Sequence, residues 1–328
     1  FAIVLTYIFA GGFIAVAWSD FFQGSMMFGG LVLLPLVTVL MLDFPDGIFS
    51  KLEMIDPDLI SIWGPGGLTG VNIATIIGLA TIGLGFMGSP QVYVRFIAIR
   101  NEQEIQKGKW VAIIFTLLTD SAAVIIGILG RVLFTEIGDI PENLLGVASE
   151  DVLPILVETV MPMALVGMYI GVILAAVMST IDSLLVVASS AVTRDLYQKV
   201  LKKGGDSTNL ISVSRLSTVI MALIALGLSM TVAFLSPERT IFWFAIFGWS
   251  GIASTFCPTI ILSLFWKGFT EKGAIAAMIA GFFTVPFTKF VLTNLDSYGI
   301  YFDKIDVMAP AFSIGLLAGY IGSKLDSR

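Results

Sequence analysis

The sequence predicts an all-α polytopic membrane protein, and three observations carry that prediction. Its 328 residues are 57% hydrophobic and 13% charged, roughly half the charged share of a soluble domain, and the mean hydropathy is +0.96. The apolar residues gather into runs of about 20 residues or more, enough to cross about 30 Å of hydrocarbon as a helix. The runs show no two-residue alternation, so they read as helices whose backbone groups bond internally rather than as strands of a barrel.

Taken in order, the runs are a partial span at 1–17 and full spans at 20–42, 67–98, 110–135, 161–193, 209–236, 240–266, 272–294 and 307–324. Their connections alternate in charge. Asp43, Asp46, Glu53, Asp56 and Asp58 are offset only by Lys51, and the next connection carries Arg95, Arg100, Lys107 and Lys109. Glu136, Asp139, Glu142, Glu150, Asp151 and Glu158 come next, then Arg194, Lys199, Lys202, Lys203 and Arg215. Lys267 and Lys272, and finally Lys324 and Arg328, fall on the basic side. Basic connections stay in the cytoplasm, which predicts a multi-pass protein of the cell membrane with a cytoplasmic C-terminus and a short inside link at Trp18–Asp20. The chain opens at Phe1, already within an apolar run and without methionine, and so reads as a fragment. The long outside connection, 136–160, contains Asp151–Val160, which reads either as a short helix over an entrance or as a solvated loop.

Composition also excludes. There is no histidine, so histidine-based metal sites and acid–base catalysis are absent, and a single cysteine, Cys257, makes neither an intrachain disulfide nor a thiolate cluster. No phosphate-binding glycine loop with lysine and no Gly-x-Ser-x-Gly elbow occurs. Gly83-x-Gly85 lies inside a span rather than after a strand, so a nucleotide reading fails its context. The basic clusters are short loop anchors and point to no nucleic acid. The partners expected are the lipid bilayer and a small molecule, the protein is not expected to be an enzyme, and nothing in the sequence speaks to oligomeric state.

Two spans depart from plain lipid-facing helix. Gly83-Leu84-Gly85-Phe86-Met87-Gly88-Ser89-Pro90 places three glycines and a proline at membrane depth. Proline removes a donor and glycine accepts non-helical angles. Irregular backbone at that depth lines a cavity or packed protein, so the stretch is either a broken helix offering free backbone groups to a ligand or a packing kink. In span 161–193, spacings of three, four and seven put Ala176, Ser179, Thr180 and Ser183 on one face. Adjacent hydroxyls with backbone carbonyls suit a hard cation, and tight helix packing is the competing account. Asp182 on the flank of that face tips the balance, because a carboxylate at this depth normally meets a cavity or partner. Asp20 reads first as a helix N-terminal carboxylate. Asp120 reads as hydrogen-bonded within the bundle, with no role assigned. Trp249-Ser250-Gly251, in span 240–266, suits a substrate wall, with core packing as the plainer account.

These residues also carry a resemblance. The run Ala175-Ala176-Val177-Met178-Ser179-Thr180-Ile181-Asp182-Ser183 and its continuation to Thr193-Arg194-Asp195-Leu196-Tyr197 resemble the signature helix of the sodium:solute symporter family. Gly11-Gly12 through Trp18-Ser19-Asp20 with Gln23, Gly88-Ser89-Pro90 with Arg95-Phe96, and Trp249-Ser250-Gly251 with Pro258 follow in family order, nearest the sodium/proline branch. The resemblance implies a leucine-transporter-type fold of two inverted five-helix repeats. One transmembrane domain, 1–328, would hold the end of the first repeat at about 1–42, the second at about 67–266, and two extra helices at about 272–324. The first core helices would lie outside the chain.

It also implies a main sodium site at Ala176, Ser179 and Thr180, completed by carbonyls of the first core helix. Asp20, Asp182 and Ser183 would form a second cation site or exit path. The substrate would meet Gly85, Phe86, Ser89 and Pro90 of the broken helix, with Trp249, Ser250 and Gly251. Ile82 and Phe86 stand where the proline branch has Trp and Tyr, which leaves proline, another amino acid, a carboxylate or a small polar solute as substrate. The activity implied is sodium-coupled uptake by alternating access. A proton-coupled transporter and a transporter-like sensory domain of a signalling protein are the alternatives.

Overall fold

The computed structural model describes residues 2–44, 47–201, 207–235 and 240–326, so the charges of Asp46, Lys202, Lys203 and Arg328 lie outside the described residues. Thirteen α-helices run in order through them: α1 Ala2–Met41, α2 Ile48–Ile55, α3 Gly70–Ile82, α4 Pro90–Ala98, α5 Glu102–Phe134, α6 Pro141–Leu145, α7 Val152–Val160, α8 Met163–Ser190, α9 Ser207–Leu235, α10 Ile241–Phe265, α11 Glu271–Phe290, α12 Gly299–Ile305 and α13 Met308–Asp326. No strand occurs among the described residues. Seven helices or helix runs are long and apolar enough to cross a membrane, and α12 with α13, bent by 88°, makes an eighth candidate. Only 11–28% of the most apolar stretch of each of the seven is buried. So much apolar outer surface is stable only against lipid, and the chain is a multi-pass membrane protein.

The largest difference from the sequence reading lies at the start. Spans 1–17 and 20–42 form one helical run, and Trp18–Asp20 is helix rather than link. The run turns at Gly12 (φ 56°, ψ −141°), a region glycine enters without the penalty a Cβ imposes. Ser19 and Asp20 look like loop residues by polarity, but only the glycine can turn the backbone here. Elsewhere the bounds shift modestly. Arg100 lies in a short link, whereas Lys107 and Lys109 ride on the first turns of α5, whose start is capped by the Asn101 side chain accepting from the Glu104 N–H at 3.0 Å. The Asp151–Val160 stretch is helical as α7 and packs its apolar face inward. Asp120 is exposed on α5 rather than hydrogen-bonded within the bundle.

The described chain divides into two compact units, Phe1–Lys51 with Ile99–Glu238, and Leu52–Ala98 with Arg239–Arg328. In the first unit, Leu34, Ile126, Leu156, Val157, Val160 and Tyr169 form one core cluster. There α1 and α8 pack closely: a Cβ on Gly30 would lie 2.7 Å from Val172, and the Tyr169 hydroxyl donates to the Gly30 carbonyl at 3.0 Å. A second cluster joins Val4, Ile8 and Val16 of α1 to Leu185 of α8 and Ala222 of α9. In the second unit, small residues let α10, α11 and α13 approach within backbone contact, as interfaces in lipid require. The Thr270 N–H donates to Ser323 Oγ at 3.1 Å across the α11–α13 contact.

Candidate functional site

In the first unit the cation-type residues cluster on α8 and the adjoining part of α1. The Ser179 hydroxyl donates to the Ala176 carbonyl at 3.0 Å, and the Thr180 hydroxyl points to the same carbonyl at 3.3 Å. Two hydroxyl oxygens of the predicted set therefore converge within hydrogen-bonding distance of one carbonyl. Ser179 is half-buried and Thr180 exposed, so neither hydroxyl is sealed in the core.

Asp182 lies nearly one turn further along and is fully buried. Three hydroxyls surround its carboxyl. The Tyr7 phenol donates to Oδ2 at 2.6 Å, Ser183 Oγ lies 3.3 Å from Oδ1, and Ser19 Oγ lies 3.1 Å from Oδ2 and 2.9 Å from the Val16 carbonyl, its single proton serving one or the other. A buried carboxyl without such partners would cost several kcal/mol. Asp20 is half-buried and follows Ser19, whose hydroxyl lies 3.1 Å from Asp182 Oδ2. Asp182 and Ser183 are thus brought together, with Asp20 adjoining them through Ser19. Among the described residues no three His, Cys, Asp or Glu side chains converge, so oxygens of hydroxyls and carbonyls dominate this cluster.

Tyr7 and Ser19 escaped the sequence reading. Tyr7 is 175 positions from Asp182, and the signal that reveals it is the Gly12 turn, which lays the first ten residues of α1 against α8 and α9. Tyr7→Phe removes only the donor. Because hydrogen bonds to charged groups contribute about 1.5–3 kcal/mol, it is expected to lower the thermal unfolding midpoint measurably, whereas Tyr298→Phe, at an exposed tyrosine, leaves it in place.

In the second unit the predicted break is visible. After α3, residues Gly83–Gly88 tighten into a 3-10 helix, Ser89 is extended (φ −71°, ψ 114°), and Pro90 opens α4. Glycine is needed at Gly85, where a Cβ would lie 2.6 Å from Trp249 Nε1. The Phe86 and Trp249 rings meet at a centroid distance of 4.8 Å and 59°, and Trp249 Nε1 is buried with no hydrogen-bond partner. Ser89 Oγ lies 3.4 Å from the Gly85 carbonyl. Gly85, Phe86, Ser89 and Trp249 therefore gather at one place, and Pro90 adjoins them as the first residue of α4. Ser250 and Gly251 do not join that cluster through their polar groups: the Ser250 hydroxyl donates to Ile246 of its own helix at 2.6 Å, and the Gly251 carbonyl accepts from Thr255 at 2.6 Å. The Cys257 thiol, 3.1 Å from the Leu84 carbonyl, fastens the break to α10.

Residues 1–281 match the model of the sodium:solute symporter family, and the chain belongs to that family. It is 34% identical over 331 residues to the osmoregulated proline transporter OpuE of Bacillus subtilis (strain 168), covering 100% of this chain and 62% of OpuE. It is 32% identical over 288 residues to the sodium/proline symporter of Escherichia coli (strain K12), covering 87% of this chain and 54% of that protein. The chain thus spans less than two thirds of these relatives' length. A substrate-bound, outward-open sodium-coupled sialic acid symporter superposes with a TM-score of 0.67 at 21% identity, over 99% of this chain and 65% of that one. The fold is the leucine-transporter-type inverted-repeat fold of the family.

Proposed function

We propose that the chain forms part of a sodium-coupled secondary active transporter that takes up a small organic solute by alternating access, and is not an enzyme. The observation that carries this reading is the convergence of the Ser179 and Thr180 hydroxyls on the Ala176 carbonyl, half of an all-oxygen cage for a hard cation. The names of the proline-transporting relatives support proline, or another amino acid or carboxylate, as the solute. Asp20, Asp182 and Ser183 form a second cation site or exit path. The first repeat ends at about residue 42, the second runs from about 67 to 266, and two extra helices follow at about 272–324. The charge alternation of the connections supports a cytoplasmic C-terminus.

In this reading the 3-10 segment and Trp249 hold the solute. The unpartnered indole N–H supplies the donor that Phe86 lacks. Sodium moving inward drives uptake, each charge crossing 100 mV contributing about 2.3 kcal/mol. The test is uptake of labelled proline and related solutes by the full-length protein in vesicles, with the sodium gradient varied at fixed pH. Uptake that follows sodium supports the reading; uptake that follows only a pH gradient overturns sodium coupling. Trp249→Phe should raise the KM for the transported solute roughly tenfold, the loss of one hydrogen bond to a charged acceptor; an unchanged KM removes Trp249 from the site.

A further inference from the structure

The first unit contains a second concavity that neither the ion cluster nor the solute reading uses. Its volume is about 610 Å³, within the roughly 300–1,000 Å³ usual for small-ligand sites. Three elements meet around it: the Gly11-Gly12 turn of α1, the end of α8 with the residues that follow it, and the early turns of α9. Ala191–Val200, which continues α8, is π-helical, closing with the Leu201 N–H on the Leu196 carbonyl at 2.9 Å. Such widened turns are rare and recur at functional positions. Here the π segment delivers Thr193 and Arg194 to the cavity, and α9 delivers Ser214, Arg215 and Thr218.

Two guanidinium groups thus enter one cavity, both on exposed side chains. Among the described residues neither has a carboxylate within ion-pair distance. Arg194 reaches Gln198 Oε1 only at 3.4 Å, and Arg215 rests over the Phe9 ring at 4.8 Å. Asp195, next to Arg194 in sequence, is taken by Lys199 at 2.8 Å. Arginine forks match phosphate oxygens in pairs, and the Ser190 and Ser214 hydroxyls on the same wall can donate as well. Ile8, Phe9, Phe13 and Ile211 make the remaining wall apolar. Fixed cations and hydroxyls beside an apolar wall select an anion carrying an apolar body. A basic pocket between membrane helices on the side of the basic connections is where phospholipid headgroups are held.

We infer that this cavity is a binding site for a phosphate-bearing anion, anchored by Arg194 and Arg215, whether the phosphate belongs to an anionic lipid headgroup or to a soluble compound. Occupancy ties α1, α8 and α9 together at the end of the helix that carries Ser179, Thr180 and Asp182. The inference does not depend on which ion or solute is transported.

The test compares the full-length protein with Arg194→Gln/Arg215→Gln and with a control, Lys107→Gln/Lys109→Gln, that removes the same charge elsewhere. One arm measures retention of phosphatidylglycerol by native mass spectrometry after detergent extraction; the other measures binding of inorganic phosphate by calorimetry. With both basic residues removed, the arginine variant should retain roughly thirtyfold less phosphatidylglycerol, and the control about as much as wild type. Saturable phosphate binding lost in the arginine variant, without lipid retention, assigns the same site to a soluble phosphate compound. Equal binding by wild type and the arginine variant in both arms overturns the inference, as does an equal loss in the control. Should the arginine variant not remain monodisperse, Ser214→Glu, which keeps both arginines and adds a negative charge to the cavity, must show the same loss; wild-type binding by it overturns the inference.

Discussion

Replacing Ser179 and Thr180 together by alanine is expected to raise the sodium concentration for half-maximal uptake at least about tenfold while leaving membrane insertion intact. The expectation rests on what the two side chains touch and on what a cation would require of them. Both hydroxyls lie against the Ala176 carbonyl at 3.0 and 3.3 Å, bonds that serve the helix little. Alanine, the strongest helix former, replaces them at small cost to folding. In the proposed site the hydroxyl protons would rotate away, so that two oxygens face the ion. A hard cation takes oxygen ligands and gains nothing from methyl groups. A tenfold change corresponds to about 1.4 kcal/mol, a modest demand on two lost ligands. Unchanged sodium dependence in a correctly inserted double variant would remove α8 from the ion site.

The second large effect is expected at Gly88. A Cβ there meets the backbone N and Cα of Cys257, together with its Cβ. Backbone cannot rotate aside as a side chain does, so Gly88→Ala must push the 3-10 segment off α10. Overpacking of this kind costs about 1–3 kcal/mol, and the displacement also breaks the Cys257–Leu84 contact and the Phe86–Trp249 ring pair. Both a lowered unfolding midpoint and at least about a tenfold loss of uptake should follow. Gly83→Ala is the matched control. Its Cβ would meet nothing within 4 Å, and Gly83 is helical (φ −61°, ψ −31°). If the two variants behave alike in unfolding and uptake, the close approach at Gly88 is not what holds the break in place.

These two results separate what periodicity and spacing reveal from what they conceal. Membrane spans are legible because lipid admits only long apolar helices, and the face of Ala176, Ser179 and Thr180 is legible because all three lie within two turns of one helix. The break at Gly83–Pro90 announces itself by composition, since proline and clustered glycines carry backbone preferences of their own. The bounds of α1 were less legible. Polarity at Ser19-Asp20 suggested a link, while the turn fell at Gly12, where conformation rather than hydropathy decides.

Local preference thus determined from sequence alone that the chain crosses a membrane repeatedly, where its oxygen-rich helix lies and where another helix must break. Tertiary structure alone decided which distant groups meet. Tyr7 reaches Asp182 across 175 positions, Trp249 lies against Gly85 and Phe86, and Arg194 and Arg215 open into one cavity with the Gly12 turn. None of these pairings follows from spacing, because each depends on how α1, α8, α9 or α10 rotates about its own axis as it packs. That rotation is set by the sum of small contacts over whole helix faces, which no local run of residues encodes.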